Sequence, residues 1–160
     1  MSTTLKTITV IGAGGKMGMR ISANLQNSDY QVFYCENSPQ AQSQVSAQGR
    51  ELSSAESVAP HSDVVILAVP DIVLGKVSEA VVPLMKAGAT LLTLDPAAAY
   101  ANLIAQRDGI DYAVAHPCHP SVFLQRYTKE EHAHAFGGIA AVQPAAPPLE
   151  AGRRPQTQAV

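Results

Sequence analysis

The segment that most restricts how this chain can fold is Gly12-Ala13-Gly14-Gly15-Lys16-Met17-Gly18, because it follows directly on the β-branched run Thr7–Ile11. A run of that kind, without polar alternation, suits a parallel strand buried on both faces. Beyond the glycines, Met17, Ile21 and Leu25 recur at helical spacing across Met17–Gln26. A strand that becomes a helix within a few residues needs a turn free to take unusual backbone angles, and the amides opening the helix can then face an anion. Gly12, Gly15 and Gly18 supply this as a G-x-x-G-x-x-G pattern, with Gly14 adding freedom in the turn and Gly18 letting the helix lie close to the sheet. In that strand–loop–helix context, Gly12 through Gly18, including Ala13, Lys16 and Met17, reads as a cradle for the pyrophosphate of a dinucleotide. The alternative is a glycine turn that serves the fold alone, and Lys16 is as well suited to a solvated loop as to phosphate.

The rest of the chain alternates in the same way. Gln31–Cys35 is a second strand, and Ser38–Gln48 is polar and weakly helical, with Pro39 suited to a first turn. Asp63–Val69 is the clearest central strand, closed by Pro70. Asp71 is expected to cap a helix reaching about Met85, its end disturbed by Pro83. Thr90–Leu94, Pro96–Gln106 and Tyr112–Ala115 then read as strand, helix and strand. No internal repeat is visible. Such alternation implies an α/β fold, a doubly wound parallel sheet of the Rossmann type. The cofactor domain is expected over residues 1–142, ending on the strand-like Ile139–Val142. Residues 143–160 carry four prolines and no apolar periodicity, and are expected to be a disordered Pro/Ala-rich tail. The abrupt change suggests a truncated or frame-shifted, non-native end.

Glu36 ends the second strand near the ~20-residue offset at which an acidic residue meets the adenosine ribose. Its carboxylate would accept from the ribose hydroxyls and repel a 2′-phosphate, which favours NAD over NADP; the alternative is an ordinary exposed glutamate. Bulk properties agree. At 160 residues and 46% hydrophobic, the chain can bury the core of one domain, and a formal charge of −2 gives no reason to expect nucleic acid or an anionic membrane as partner. Val64–Pro70, the longest apolar stretch, is too short to span a bilayer, and no apolar signal segment precedes Thr7. Two distant cysteines, Cys35 and Cys118, suit a reducing cytoplasm.

In an open parallel sheet the ligand lies beyond the carboxyl ends of the strands. Val69 and Pro70 fall there and are expected beside the nicotinamide ribose. Asp95 falls there too, and reads first as a helix cap. His116 opens the loop His116-Pro117-Cys118-His119-Pro120, where an imidazole could take the proton released on alcohol oxidation or hold a divalent metal such as zinc. The plainer alternative is two histidines capping a turn. His116 directly follows a strand and is the preferred catalytic group. His132 and His134 lie in a polar stretch and read as solvated, and Cys118 as a small packed residue.

Together, Gly12–Gly18, Ala68-Val69-Pro70-Asp71, the His116–Pro120 run and Phe136–Ala141 resemble the D-apionate oxidoisomerase family, which groups with phosphogluconate dehydrogenase-like and β-hydroxyacid dehydrogenase-like proteins. The His116-Pro117 step is also similar to the catalytic His-Pro of prephenate dehydrogenases. The resemblance covers about Thr7 to Val142. It implies NAD-linked oxidation of a branched sugar acid coupled to a ketol-type rearrangement, with a metal ion at His116. It also implies a mainly helical second domain that completes the substrate pocket and the homodimer. No such domain follows in this sequence, so the chain alone is expected to lack the family's substrate contacts and is read alternatively as an inactive cofactor-binding module. A prephenate- or β-hydroxyacid-type dehydrogenase is the rival within the enzyme class.

Overall fold

Strand and helix alternate into a five-stranded, all-parallel sheet in the computed structural model, which describes residues 6–116. The strands are β1 (Thr7–Ile11), β2 (Gln31–Cys35), β3 (Val64–Leu67), β4 (Thr90–Thr93) and β5 (Asp111–Val114); the helices are α1 (Lys16–Leu25), α2 (Pro39–Ala47), α3 (Ala55–Val58), α4 (Asp71–Val81) and α5 (Pro96–Tyr100). Successive side chains on a strand point to opposite faces, and both faces here are apolar. Ile8, Val10 and Ile66 pack with Tyr34 against the side of α1 and Val45 of α2. Ile11, Val65, Leu67 and Leu91 pack with Leu74, Val81 and Ala98 on the side of α4 and α5. Fully burying one such side chain contributes roughly 1.5–3 kcal/mol. Thr9 is the polar exception inside β1, and its hydroxyl is paired with that of buried Ser62 at 2.6 Å.

The order across the sheet is β2-β1-β3-β4-β5. A sixth position exists in rudiment: Leu52 forms one isolated parallel bridge with Tyr34 on the outer side of β2. Counting it, the order becomes that of a dinucleotide-binding sheet whose third strand has shrunk to one residue, with the chain reversing direction of winding between β1 and β3. The register aligns the carboxyl ends: Ile11 pairs with both Cys35 and Leu67, Leu67 with Thr93, and Thr93 with Val114. The loops after the first four strands, with Ala115 and His116 after β5, therefore share one edge.

Three sequence expectations change. Asp71 does not cap α4; Pro70 occupies the cap position without a side-chain bond, and Asp71 stands in the first turn, where its charge complements the helix dipole. The helix ends at Val81 and tightens into a 3-10 turn over Val82–Leu84, consistent with Pro83 having no amide to donate. The helix expected over Pro96–Gln106 stops at Tyr100, because Asn102 takes a left-handed conformation (φ 56°) while its amide bonds to Ala99 and that of Leu103 to Ala98, both to the carbonyl. This closing pair of bonds is the Schellman pattern, with asparagine in the place more often held by glycine. Helix α3 and the turn Ala59–His61 carried no sequence expectation. The expected strand Ile139–Val142 and the tail 143–160 lie outside the described residues.

Candidate functional site

The glycine loop is built from backbone bonds that leave little slack. The amides of Gly12 and Ala13 both donate to the Cys35 carbonyl, that of Gly15 to the Gly12 carbonyl, and that of Gly14 to Oε2 of Glu36 at 3.0 Å. Gly12 has φ 81°, a left-handed conformation, and a Cβ there would stand 2.6 Å from the Ala68 carbonyl oxygen. At Gly14 a Cβ would meet Ala41 of α2, also at 2.6 Å, and at Gly18 it would overlap the Gly12 carbonyl. These three glycines are required by the fold itself. Gly15 is different. Its angles (φ −70°, ψ 164°) are open to any residue, and a Cβ would meet only backbone oxygens at 3.3 and 3.6 Å.

Helix α1 starts its ladder with the Met19 amide donating to the Gly15 carbonyl. The amides of its first turn, at Lys16, Met17 and Gly18, thus lie at the positive end of the helix, where an anion is stabilised. Ala13 is fully buried and holds the loop rather than facing outward. Glu36 is fixed from three sides: besides Gly14, the amides of Asn37 and Ser38 donate to Oε1 at 2.9 and 3.1 Å, and Nε2 of Gln42 donates to its carbonyl at 2.7 Å.

A crevice of about 390 Å³ runs along the shared carboxyl edge, lined by Gly15, Lys16, Met17, Ala68, Val69, Pro70, Asp71, Leu74, Leu94, Asp95 and His116. Of the sequence candidates, Gly15, Lys16, Met17, Val69, Pro70 and His116 meet there. Gly12, Ala13, Gly14, Gly18 and Glu36 lie behind it or beside it. His116 is exposed, with Nδ1 2.9 Å from the Leu94 carbonyl oxygen. A carbonyl can only accept, so Nδ1 donates in this bond, and in the neutral ring Nε2 is then the acceptor nitrogen. Asp95 caps α5 through the Ala97 amide at 2.6 Å, as expected, and also lines the crevice. Leu74 and Leu94 carried no signal in the sequence; the packing of α4 on the sheet brings the first here and the end of β4 the second. Among the described residues no group of three His, Cys, Asp or Glu side chains could hold a metal ion. Cys118, His119, His132 and His134 lie outside those residues. No described helix is long and apolar enough to cross a membrane.

Comparison with known proteins follows the same lines. The chain is 76% identical over 152 residues to the D-apionate oxidoisomerase of Pectobacterium atrosepticum, covering 95% of this chain and 53% of that protein. It is 42% identical over 137 residues to the D-apionate oxidoisomerase of Cupriavidus necator, covering 85% of this chain and 50% of that protein. The chain therefore spans about half the length of these curated relatives. A crystal structure of a semialdehyde dehydrogenase NAD-binding protein from Cupriavidus necator, in complex with calcium and NAD, superposes with a TM-score of 0.73 at 40% identity, covering 86% of this chain and 50% of that one. The resemblance drawn from the motifs and the Rossmann sheet is thereby confirmed. Residues 3–145 match the family model described as acetohydroxy acid isomeroreductase, NADPH-binding domain, and the chain belongs to that family.

Proposed function

We propose that this chain binds NAD across the carboxyl edge of its sheet and provides the cofactor half of an NAD-dependent oxidoreductase acting on a sugar acid; its relatives are named for D-apionate, and the similar Cupriavidus necator structure holds NAD. One observation carries the reading: the opening of α1, the Val69-Pro70 step and His116 line a single crevice. The residues fit the cofactor. Gly15 leaves room beside the first-turn amides for pyrophosphate, and Glu36 stands at the end of β2, where the adenosine ribose is held. The family is described by NADPH, yet here a carboxylate holds that position, followed by the neutral Asn37 and Ser38. That composition favours NAD. Val69 and Pro70 then border the nicotinamide ribose, and Lys16 faces the phosphates.

When bound, the nicotinamide supplies the acceptor for the hydride of the carbinol carbon. Nε2 of His116 takes the hydroxyl proton as the alcohol becomes a ketone. In the ketol-type rearrangement a carbon substituent migrates to that ketone carbon while the neighbouring hydroxyl loses a proton and the former ketone oxygen gains one. Protonated His116 gives its proton to the former ketone oxygen and, neutral again, accepts the one that the neighbouring hydroxyl loses. A single imidazole does not make a metal site for zinc or another ion, and among the described residues no group of three ligating side chains accompanies His116. Residues 1–142 form the cofactor unit in this reading, with 143–160 outside it. A sugar acid is the small-molecule partner, pairing into a homodimer depends on the remaining half found in the relatives, and a cytoplasmic setting suits both NAD chemistry and the free thiol of Cys35.

Calorimetric titration checks the cofactor, and NADH absorbance with NAD and D-apionate checks turnover. NADH should bind at least about tenfold more tightly than NADPH; equal affinities would remove Glu36 from this role. In this chain joined to the remaining half found in the relatives, His116→Asn should keep NADH affinity while lowering turnover by about 10²–10⁴-fold. Unchanged turnover would show that His116 is not the base.

A further inference from the structure

We infer that Glu36 positions the pyrophosphate loop as well as meeting the ribose, so that cofactor affinity passes through Gly14; this rests on the cofactor site proposed above. Oε2 accepts the Gly14 amide while Oε1 accepts those of Asn37 and Ser38, so one carboxylate ties the middle of the glycine loop to the turn that leads into α2. Gly14 is the loop residue pressed hardest on α2, with Ala41 at the limit of approach. The other loop amides, at Gly12, Ala13 and Gly15, are all held by backbone carbonyls. Only the Gly14 amide depends on a side chain. Removing that acceptor frees the Ala13–Gly14 peptide, two residues before the helix whose first-turn amides would hold the phosphates. A ribose hydroxyl can still donate to Oε2, which accepts the Gly14 amide and has a second lone pair.

Glutamine is not a substitute. Whichever way its amide turns, a nitrogen donor faces either the Gly14 amide or the Asn37 and Ser38 amides. Turning the oxygen to Asn37 and Ser38 keeps two bonds against one, which leaves the nitrogen facing the Gly14 amide, so this variant should loosen the loop much as alanine does.

The test separates the two roles chemically. NADH and an analogue whose adenosine ribose is 2′,3′-dideoxy are titrated into wild type, Glu36→Gln and Glu36→Ala, each first shown to melt cooperatively. With no ribose hydroxyl to accept from, a purely ribose-binding Glu36 leaves the analogue's affinity unchanged. We expect both variants to bind the analogue about three- to tenfold more weakly than wild type, the range of one lost hydrogen bond. Amide exchange at Gly14 in the unliganded protein should accelerate in both. Equal analogue affinity in all three proteins, with NADH alone affected, overturns the inference and leaves the cofactor site standing. Failure of wild type to bind NADH overturns both.

Discussion

At Gly15 and Gly12 the same residue type answers two different demands, and substitution should separate them. Gly12→Ala places a Cβ against the Ala68 carbonyl in a left-handed conformation, and should lower stability by roughly 1–3 kcal/mol. Gly15→Ala should leave the melting temperature nearly unchanged and weaken NADH binding, because only the ligand needs that space. Thermal melts and titrations of both variants check this; a stable Gly15→Ala with full affinity would move the phosphate off this loop. Cys35 shows the reverse case, a reactive group held inert. Burial, with the nearby Glu56 charge adding to it, pushes its thiol up to about 11. The thiolate is the reactive form, so a thiol reagent near pH 8 should label Cys35 only after denaturation, as read by peptide mapping. The folded state retains the proton longer than the unfolded chain does, so this thiol's contribution to stability is present below pH 9.0 and is lost as pH rises towards 11.

Helix α4 and the turn after α5 lock together through two small residues. Ser78 donates to the Gly75 carbonyl and accepts the Ala105 amide at 2.9 Å, and Gly75 lies under the Leu103 carbonyl, where a Cβ would come within 2.9 Å. Alanine is the better helix former by roughly 0.5–1 kcal/mol. Gly75→Ala should nonetheless destabilise, by about 1–3 kcal/mol, because the obstructing atom is backbone; a higher urea midpoint would refute the contact. The same region shows where sequence reading stops. β1, the glycine loop and α1 were legible because their signals are local: a β-branched run, closely spaced glycines, and a 3.6-residue period. Asp95 as a cap was legible for the same reason. The end of α5 was not, since Asn102 is an unremarkable residue until the carbonyls of Ala98 and Ala99 and the bond from Ser78 to Ala105 fix the turn. Nor could spacing show that Leu94 would hold the His116 ring, a pairing created by the β4–β5 register.

Across the whole molecule the two ends of the sheet have separate tasks. The carboxyl edge carries the crevice, while the amino edge is fastened by Asp63, whose carboxylate accepts from Lys86 at 2.6 Å and from the Thr7 amide at 2.9 Å. These partners, Lys86 first, hold the Asp63 carboxyl below its ordinary 3.8. A lowered value in the folded state means that the stabilisation is present above 3.8 and disappears as pH falls below it. Asp63→Asn should therefore be less stable than wild type near neutrality and converge with it in acid, with NADH affinity unchanged; parallel urea curves at both pH values would discount the ion pair. One feature of the sheet reaches beyond the fold. With its neighbour reduced to Leu52, β2 presents an outer edge at Gln31–Phe33 beyond that bridge. Three residues extend roughly 10 Å, and so short a stretch of open backbone is a poor template for a foreign strand. A third strand reduced to one residue thus leaves only a short open rim, at the amino half of β2, for neighbours to join.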